Sequence, residues 1–218
     1  MAHEWLMFSL GAYILGSLPF GKWIASAVAR IDITRRGSGN IGATNVAREV
    51  GIPWGIATLL LDAGKGFLPV LLSMQFIEVA RFWPFAVGIC ALLGHQFSIF
   101  QRLRGGKGVA TALGIYLALS PMSRLACGIS LLLFVALVYR WRYVSLGSMG
   151  SSAFMPLLLA LFGQPWAVVG GSAAVSVLII LKHADNIRRL RLGRENPWKR
   201  GKGNHERVSR SLSSSSSE

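Results

Sequence analysis

Three short segments carry residue types able to grip phosphate and to handle a proton. The first is GSGNIGATNVAR, Gly37 to Arg48, with three glycines, two amides, two hydroxyls and a closing arginine ahead of Glu49. Without Cβ atoms at Gly37 and Gly39 the backbone can approach an anion, and successive N–H groups can form a nest of partial positive charge. Ser38, Asn40, Thr44 and Asn45 add neutral donors, and Arg48 adds a planar fork suited to phosphate. The second is RGGKGVAT, Arg104 to Thr111, which sets Gly105, Gly106 and Lys107 at the start of an apolar run. A helix N-terminus there would offer free N–H groups to an anion. In the third, KHADNIRRL, His183 and Asn186 stand three apart and share one helical face. Histidine can exchange a proton and asparagine can orient a hydroxyl.

Neither glycine segment fits a nucleotide site. GSGNIG satisfies G-x-G-x-x-G, but an apolar span and a basic linker precede it where a dinucleotide fold needs a strand. RGGKG is not a P-loop, because Gly108 follows Lys107 and Gln101 stands where the first glycine belongs. Asp62 and Lys65, also three apart, are expected to neutralise each other within an apolar span. His95, in LGHQF, reads equally as a hydrogen-bonded structural group or a catalytic one. Cys90 and Cys127 lie in apolar runs with no partner at ligand spacing, so neither metal nor disulfide is expected, and no cofactor.

The elements that must position these residues are membrane helices. Of 218 residues 52% are hydrophobic and 15% charged, well below the quarter or so charged that soluble domains carry. The net charge of +14 would suggest nucleic acid in a polar chain; here the apolar content redirects it toward anionic lipid, with no nucleic-acid partner. A span needs about 20 apolar residues. Seven are expected, in an all-α polytopic fold: Glu4 to Val28, Ile52 to Phe76, Phe82 to Phe100, Val109 to Met122, Leu125 to Tyr139, Val144 to Phe162 and Trp166 to Lys182. The fourth and fifth meet at Ser120-Pro121-Met122; fused, they would leave six. Gly11, Gly16, Gly170 and Gly171 are expected to allow close helix packing.

Lysine and arginine set the orientation. Arg30, Arg35, Arg36, Arg48, Arg102, Arg104, Lys107, Arg140, Arg142 and the cluster from Arg188 onward fall on one side; the other holds only Arg81 and Arg124. The N-terminus is therefore expected outside and the C-terminus in the cytoplasm, with every glycine-rich or polar cluster on the cytoplasmic face. Residues 1–195 read as one membrane domain, and the polar, serine-rich 196–218 as a disordered tail.

Taken together, GSGNIGATN with Arg48, LGH followed by Phe97, RGGKGVAT, RYVSL and the closing KH..NI.RL..G.E resemble the bacterial acyl-phosphate:glycerol-3-phosphate acyltransferases. These are polytopic enzymes of the bacterial inner membrane that make lysophosphatidic acid, the first step of phospholipid synthesis. The resemblance covers nearly the whole chain to Glu195; Arg104 stands where lysine is frequent, and Ala184 where a larger polar residue is usual. It implies seven helices, a site facing the cytoplasm and an acyl donor taken from the membrane, most simply by a monomer. It implies that Ser38, Gly39, Asn40, Thr44 and Lys107 hold the acyl phosphate. Arg48, Ser145, His183 and Asn186 would hold glycerol 3-phosphate. Gly37, Asn45, Gly105, Gly106 and Glu195 complete the substrate-binding set, and Ser38, Arg48, Lys107, His183 and Asn186 are the residues expected to carry catalysis.

An acyl phosphate is already activated, so an enzyme using it must mainly position the hydroxyl and stabilise developing charge. Two absences agree. Five residues beyond His95 and His183 lie Phe100 and Arg188, so H-x-x-x-x-D is missing, and there is no G-x-S-x-G nucleophile elbow. Direct transfer without an acyl-enzyme is expected, the proton leaving through His183 or through a substrate phosphate, with the resemblance favouring the phosphate. A transporter of a phosphorylated solute is the rival class, but its second face would need polar loop chemistry that this sequence lacks.

Overall fold

The computed structural model describes residues 2–76 and 82–198. These are all-helical: α1 (Ala2–Ser17), α2 (Phe20–Ala29), α3 (Ala43–Glu49), α4 (Ile52–Phe76), α5 (Phe82–Gln96), α6 (Val109–Leu119), α7 (Pro121–Trp141), α8 (Val144–Leu161), α9 (Trp166–Lys182) and α10 (Ala184–Arg191), with 3-10 turns at Ile33–Arg35 and Ile99–Gln101. Arg81 and the expected tail from residue 199 onward lie outside the described residues.

Local chemistry sets the boundaries. Pro19 lacks an N–H and divides the expected first span into α1 and α2, correcting the reading of one continuous helix. Between α6 and α7 the break is real: the Ser120 hydroxyl accepts the Ser123 N–H at 3.1 Å and Pro121 opens the next helix. Among the described residues four segments are long and apolar enough to cross a bilayer, Ile52–Phe76, Trp83–Gln101, Pro121–Trp141 and Val144–Leu161. A fifth is available where α9 and α10, bent by 57°, are taken together.

The core runs between α4, α5, α6, α8 and α9, through Val70, Phe85, Leu92, Ile115, Leu159 and Ile179. Leu60, Leu132 and Leu161 point outward with 66–70% exposure, an apolar outer surface that suits lipid and not water. Where helix backbones touch, glycine is required: Gly66 faces the Thr111 carbonyl and Gly114 the Ala63 carbonyl, joining α4 to α6. Gly16 and Gly171 are close-packed as expected, against Ala91 and Phe85, whereas Gly11 and Gly170 meet nothing within 4 Å and do not serve packing. The starts of α4, α6 and α8 and the ends of α5, α7 and α9 meet at one end of the bundle, with α3 and α10 laid across them.

Candidate active site

That end encloses a cavity of about 540 Å³. Its mouth is polar, with Ser38, Asn40, Arg48, Lys107, Ser145, His183, Asn186, Arg189 and Glu195. Inward it continues between α4, α6, α7 and α8 along Ile56, Leu59, Leu113, Leu131, Phe134 and Met155. One space thus joins a polar, cationic mouth to an apolar trench.

A hydrogen-bonded chain crosses the mouth. Lys107 Nζ donates to Asn186 Oδ1, and Asn186 Nδ2 donates to Glu195 Oε1 at 2.6 Å. Ser145 Oγ donates to the same carboxylate oxygen at 2.9 Å, and Arg189 Nε to the other oxygen at 2.8 Å. Arg48 donates from Nη2 to the Asn196 carbonyl at 3.1 Å and lies over the Trp198 ring, while the Trp198 N–H reaches the Arg142 carbonyl at 2.6 Å. Residues 196–198, expected from sequence to begin a disordered tail, are therefore packed against the mouth.

His183 is 2% exposed at the joint between α9 and α10, with Nδ1 2.8 Å from the Ile179 carbonyl. A carbonyl only accepts, so Nδ1 carries the proton and Nε2 of the neutral ring is left as an acceptor. Burial, aided by the Lys107 cation, pushes its pKa down to about 4. Burial likewise lowers Lys107 to about 8, with the Glu195 charge opposing and Arg189 and Arg48 assisting. Burial works against the Glu195 carboxylate, but hydrogen bonds from Arg189, Asn186 and Ser145 outweigh it and hold its pKa below the usual range.

The structure brings Ser38, Asn40, Thr44, Asn45, Arg48, Lys107, Ser145, His183, Asn186 and Glu195 to one cavity wall. Four expected glycines are not on it. Gly37 and Gly39, at φ +56° and +71°, bend the loop; the Gly39 N–H is held by the Arg36 carbonyl. Gly105 and Gly106 donate to the carbonyls of Gln96 and His95, at 3.2 and 3.0 Å, and so are engaged with the end of α5. The open nest expected of the first loop is closed as well. The Ser38 N–H is taken by Asn45 Oδ1 at 3.0 Å, and Asn45 Nδ2 ties down the carbonyls of Arg36 and Asn40 at 3.0 and 2.9 Å. Asn45 is thus a clasp of the loop and not a free donor.

Asp62 and Lys65 pair at 2.6 Å inside α4, as expected, with His95 Nδ1 3.7 Å from the same carboxylate oxygen. Among the described residues no three His, Cys, Asp or Glu side chains cluster as metal ligands would. Arg189 is a site residue that sequence reasoning does not single out. It continues the stripe of His183 and Asn186 at the same spacing of three, a signal hidden by its membership in a basic run. The contacts of residues 196–198 leave no such trace.

A helical, multi-pass membrane protein with several cations around one cavity, and an apolar trench leading from it, defines the class: an enzyme acting on anionic lipid-like substrates. A family model described as glycerol-3-phosphate acyltransferase matches residues 6–193. Proteins named glycerol-3-phosphate acyltransferase from Geotalea daltonii and Geobacter sulfurreducens are 46% and 48% identical over 195 and 194 residues. Each alignment covers 89% of this chain, and 98% and 97% of the relative. The crystal structure of PlsY (YgiH), an integral membrane glycerol 3-phosphate acyltransferase, in its glycerol 3-phosphate form, superimposes with TM-score 0.84 at 37% identity, covering 90% of this chain and 96% of that one. Its lysophosphatidic acid form gives 0.81 at the same identity, covering 89% and 95%. The chain belongs to the glycerol-3-phosphate acyltransferase family.

Proposed function

We propose that this chain transfers an acyl group from an acyl phosphate to the 1-hydroxyl of sn-glycerol 3-phosphate, releasing phosphate and lysophosphatidic acid as the first step of phospholipid synthesis. The observation that carries the reading is the single cavity. Lys107 at the start of α6 and Arg48 on α3 offer two cationic grips, one for each substrate phosphate, and the apolar trench beside them accepts an acyl chain. The relatives are named for glycerol 3-phosphate, and the PlsY structures are of forms with that compound and with lysophosphatidic acid.

Lys107, Ser38, Asn40 and Thr44 hold the acyl phosphate, its phosphoryl group at the free N–H groups of the first turn of α6. Arg48, Ser145, His183 and Asn186 hold glycerol 3-phosphate, with Glu195 and Arg189 fixing Ser145 and Asn186. The glycerol oxygen attacks the acyl carbon, the bond from that carbon to the phosphate oxygen breaks, and phosphate leaves with both electrons of that bond. His183 Nε2 accepts the hydrogen bond that aims the hydroxyl. The proton goes to a substrate phosphate, whose second pKa is about 6, in preference to an imidazole held at about 4.

The chain crosses the bacterial inner membrane seven times, with the N-terminus outside and the cavity facing the cytoplasm. The basic loops all fall at the cavity end, which supports that orientation. In this reading α1 and α2 together make the first crossing and α6, about 17 Å long, makes a short one that continues through Ser120 into α7. In this reading the enzyme acts as a monomer, with Arg48, Lys107, Ser145 and His183 of the same chain around one cavity. A donor test decides the reaction. Purified protein should form lysophosphatidic acid from palmitoyl phosphate, and not from palmitoyl-CoA or palmitoyl-acyl carrier protein; turnover with either of the latter alone refutes it.

A further inference from the structure

The last turn of α5 touches both halves of the site without reaching into the mouth. Gln96 is fully buried, and its Nε2 donates to the Lys107 carbonyl at 2.9 Å. Its own carbonyl accepts twice, from the Gly105 N–H and, at 2.6 Å, from Lys182 Nζ. Lys182 ends α9 immediately before His183, and its ammonium also lies over the Phe97 ring at 4.1 Å. Gly106 rests directly on the His95 ring; a Cβ there would overlap the imidazole. The Asp62 carboxylate that neutralises Lys65 stands behind that ring.

Burying an amide has a cost that a leucine would avoid, and Gln96 Oε1 finds no protein partner among the described residues. The geometry supplies what offsets it. We propose that Gln96 and Lys182 are positioning residues of the acyl transfer: Gln96 sets the backbone of Lys107, and Lys182 locks the His183–Asn186 segment to the same turn of α5. The acyl-phosphate grip and the glycerol 3-phosphate grip are then registered against one rigid mount. A lysine at the end of a span ordinarily snorkels to headgroups; this one turns inward to a helix C-terminus, where cations are favoured.

The inference rests on Lys107 as a substrate grip, so the experiment tests that first. In the purified full chain, Lys107→Ala must lower kcat/KM; a variant with wild-type kinetics removes the reading of Lys107 itself. Given that loss, Gln96→Leu is expected to lower kcat/KM about tenfold, the value of one hydrogen bond. The loss should fall on the KM for acyl phosphate, with the KM for glycerol 3-phosphate and the thermal midpoint nearly unchanged. Because Gln96 acts through Lys107, the same substitution in the Lys107→Ala background should cost less than about twofold. Equal losses in both backgrounds, or losses spread evenly over both substrates, overturn the role of Gln96. Lys182→Met provides an arm that does not depend on recovering folded Gln96→Leu: the KM for glycerol 3-phosphate should rise about fivefold. An unchanged value there overturns the mount.

Discussion

The charge on Lys107 should set an alkaline limit to the reaction. Burial holds its pKa at about 8, against 10.5 for a free lysine, because the ammonium gives up water on entering the cavity wall. The groups facing it do not confuse the titration. Among the charges acting on it, Glu195 and Asp185 raise its pKa and Arg189 and Arg48 lower it, while burial holds His183 at about 4, below this range. From pH 7 to pH 9 the protonated fraction of Lys107 falls from about 0.9 to about 0.1, while both substrate phosphates are already doubly ionised. The kcat/KM for acyl phosphate, which reports the free enzyme, should therefore fall about tenfold between these values. Saturating substrate should move the limb upward, since a bound dianion favours the cation. Lys107→Arg should be weaker at pH 7 but flat to pH 10, because a guanidinium does not titrate there. The assay is release of phosphate from palmitoyl phosphate in detergent, in buffers of constant ionic strength. A wild-type profile level to pH 10, or an identical limb in Lys107→Arg, would refute the reasoning.

Three further substitutions probe the mouth and its loop. His183→Ala should raise the KM for glycerol 3-phosphate while leaving turnover within about threefold of wild type; turnover reduced about a hundredfold or more would make it the general base instead. Glu195→Gln keeps the shape but loses the charge that Arg189 and Asn186 address, and should lower kcat/KM for glycerol 3-phosphate by about 10- to 100-fold. Its pKa is depressed in the folded state, so its stabilisation is present above the ordinary carboxylate range and is lost as pH falls through the folded value. The thermal midpoints of wild type and Glu195→Gln should accordingly differ at pH 7 and converge in acid. Asn45→Asp replaces the donor that holds the carbonyls of Ile33, Arg36 and Asn40 with an acceptor, and should destabilise the loop by about 2 kcal/mol, more than Asn45→Ala. Limited proteolysis at Arg35 and Arg36 reads that opening directly; an Asp variant as resistant as wild type would contradict the clasp.

Much of this protein is written locally. Runs of apolar residues determined α4, α8 and α9 almost to the residue, since a backbone in lipid must satisfy itself within one helix; α7 begins four residues before the expected Leu125, at the Ser120-Pro121 cap. Pro19 and Ser120-Pro121 mark breaks for equally local reasons, although the apolar run carries on across the first and hides it. The chemistry of the site is legible too, because phosphate recognition needs cations, amides and close backbone, and few residue types supply them. Direction is not. A glycine permits its N–H to approach an anion without saying which way that N–H points, and only the packed chain shows Gly105 and Gly106 turned to α5 and Asn45 folded into its own loop. Contacts across many residues are equally hidden: Arg189 meets Glu195 because the chain reverses after α10, and Gln96 meets Lys107 because two helices end side by side. Sequence decided which groups this membrane enzyme owns; tertiary structure decided which of them face the cavity and which hold the others in place, since hydrogen-bond partners are chosen by proximity in space.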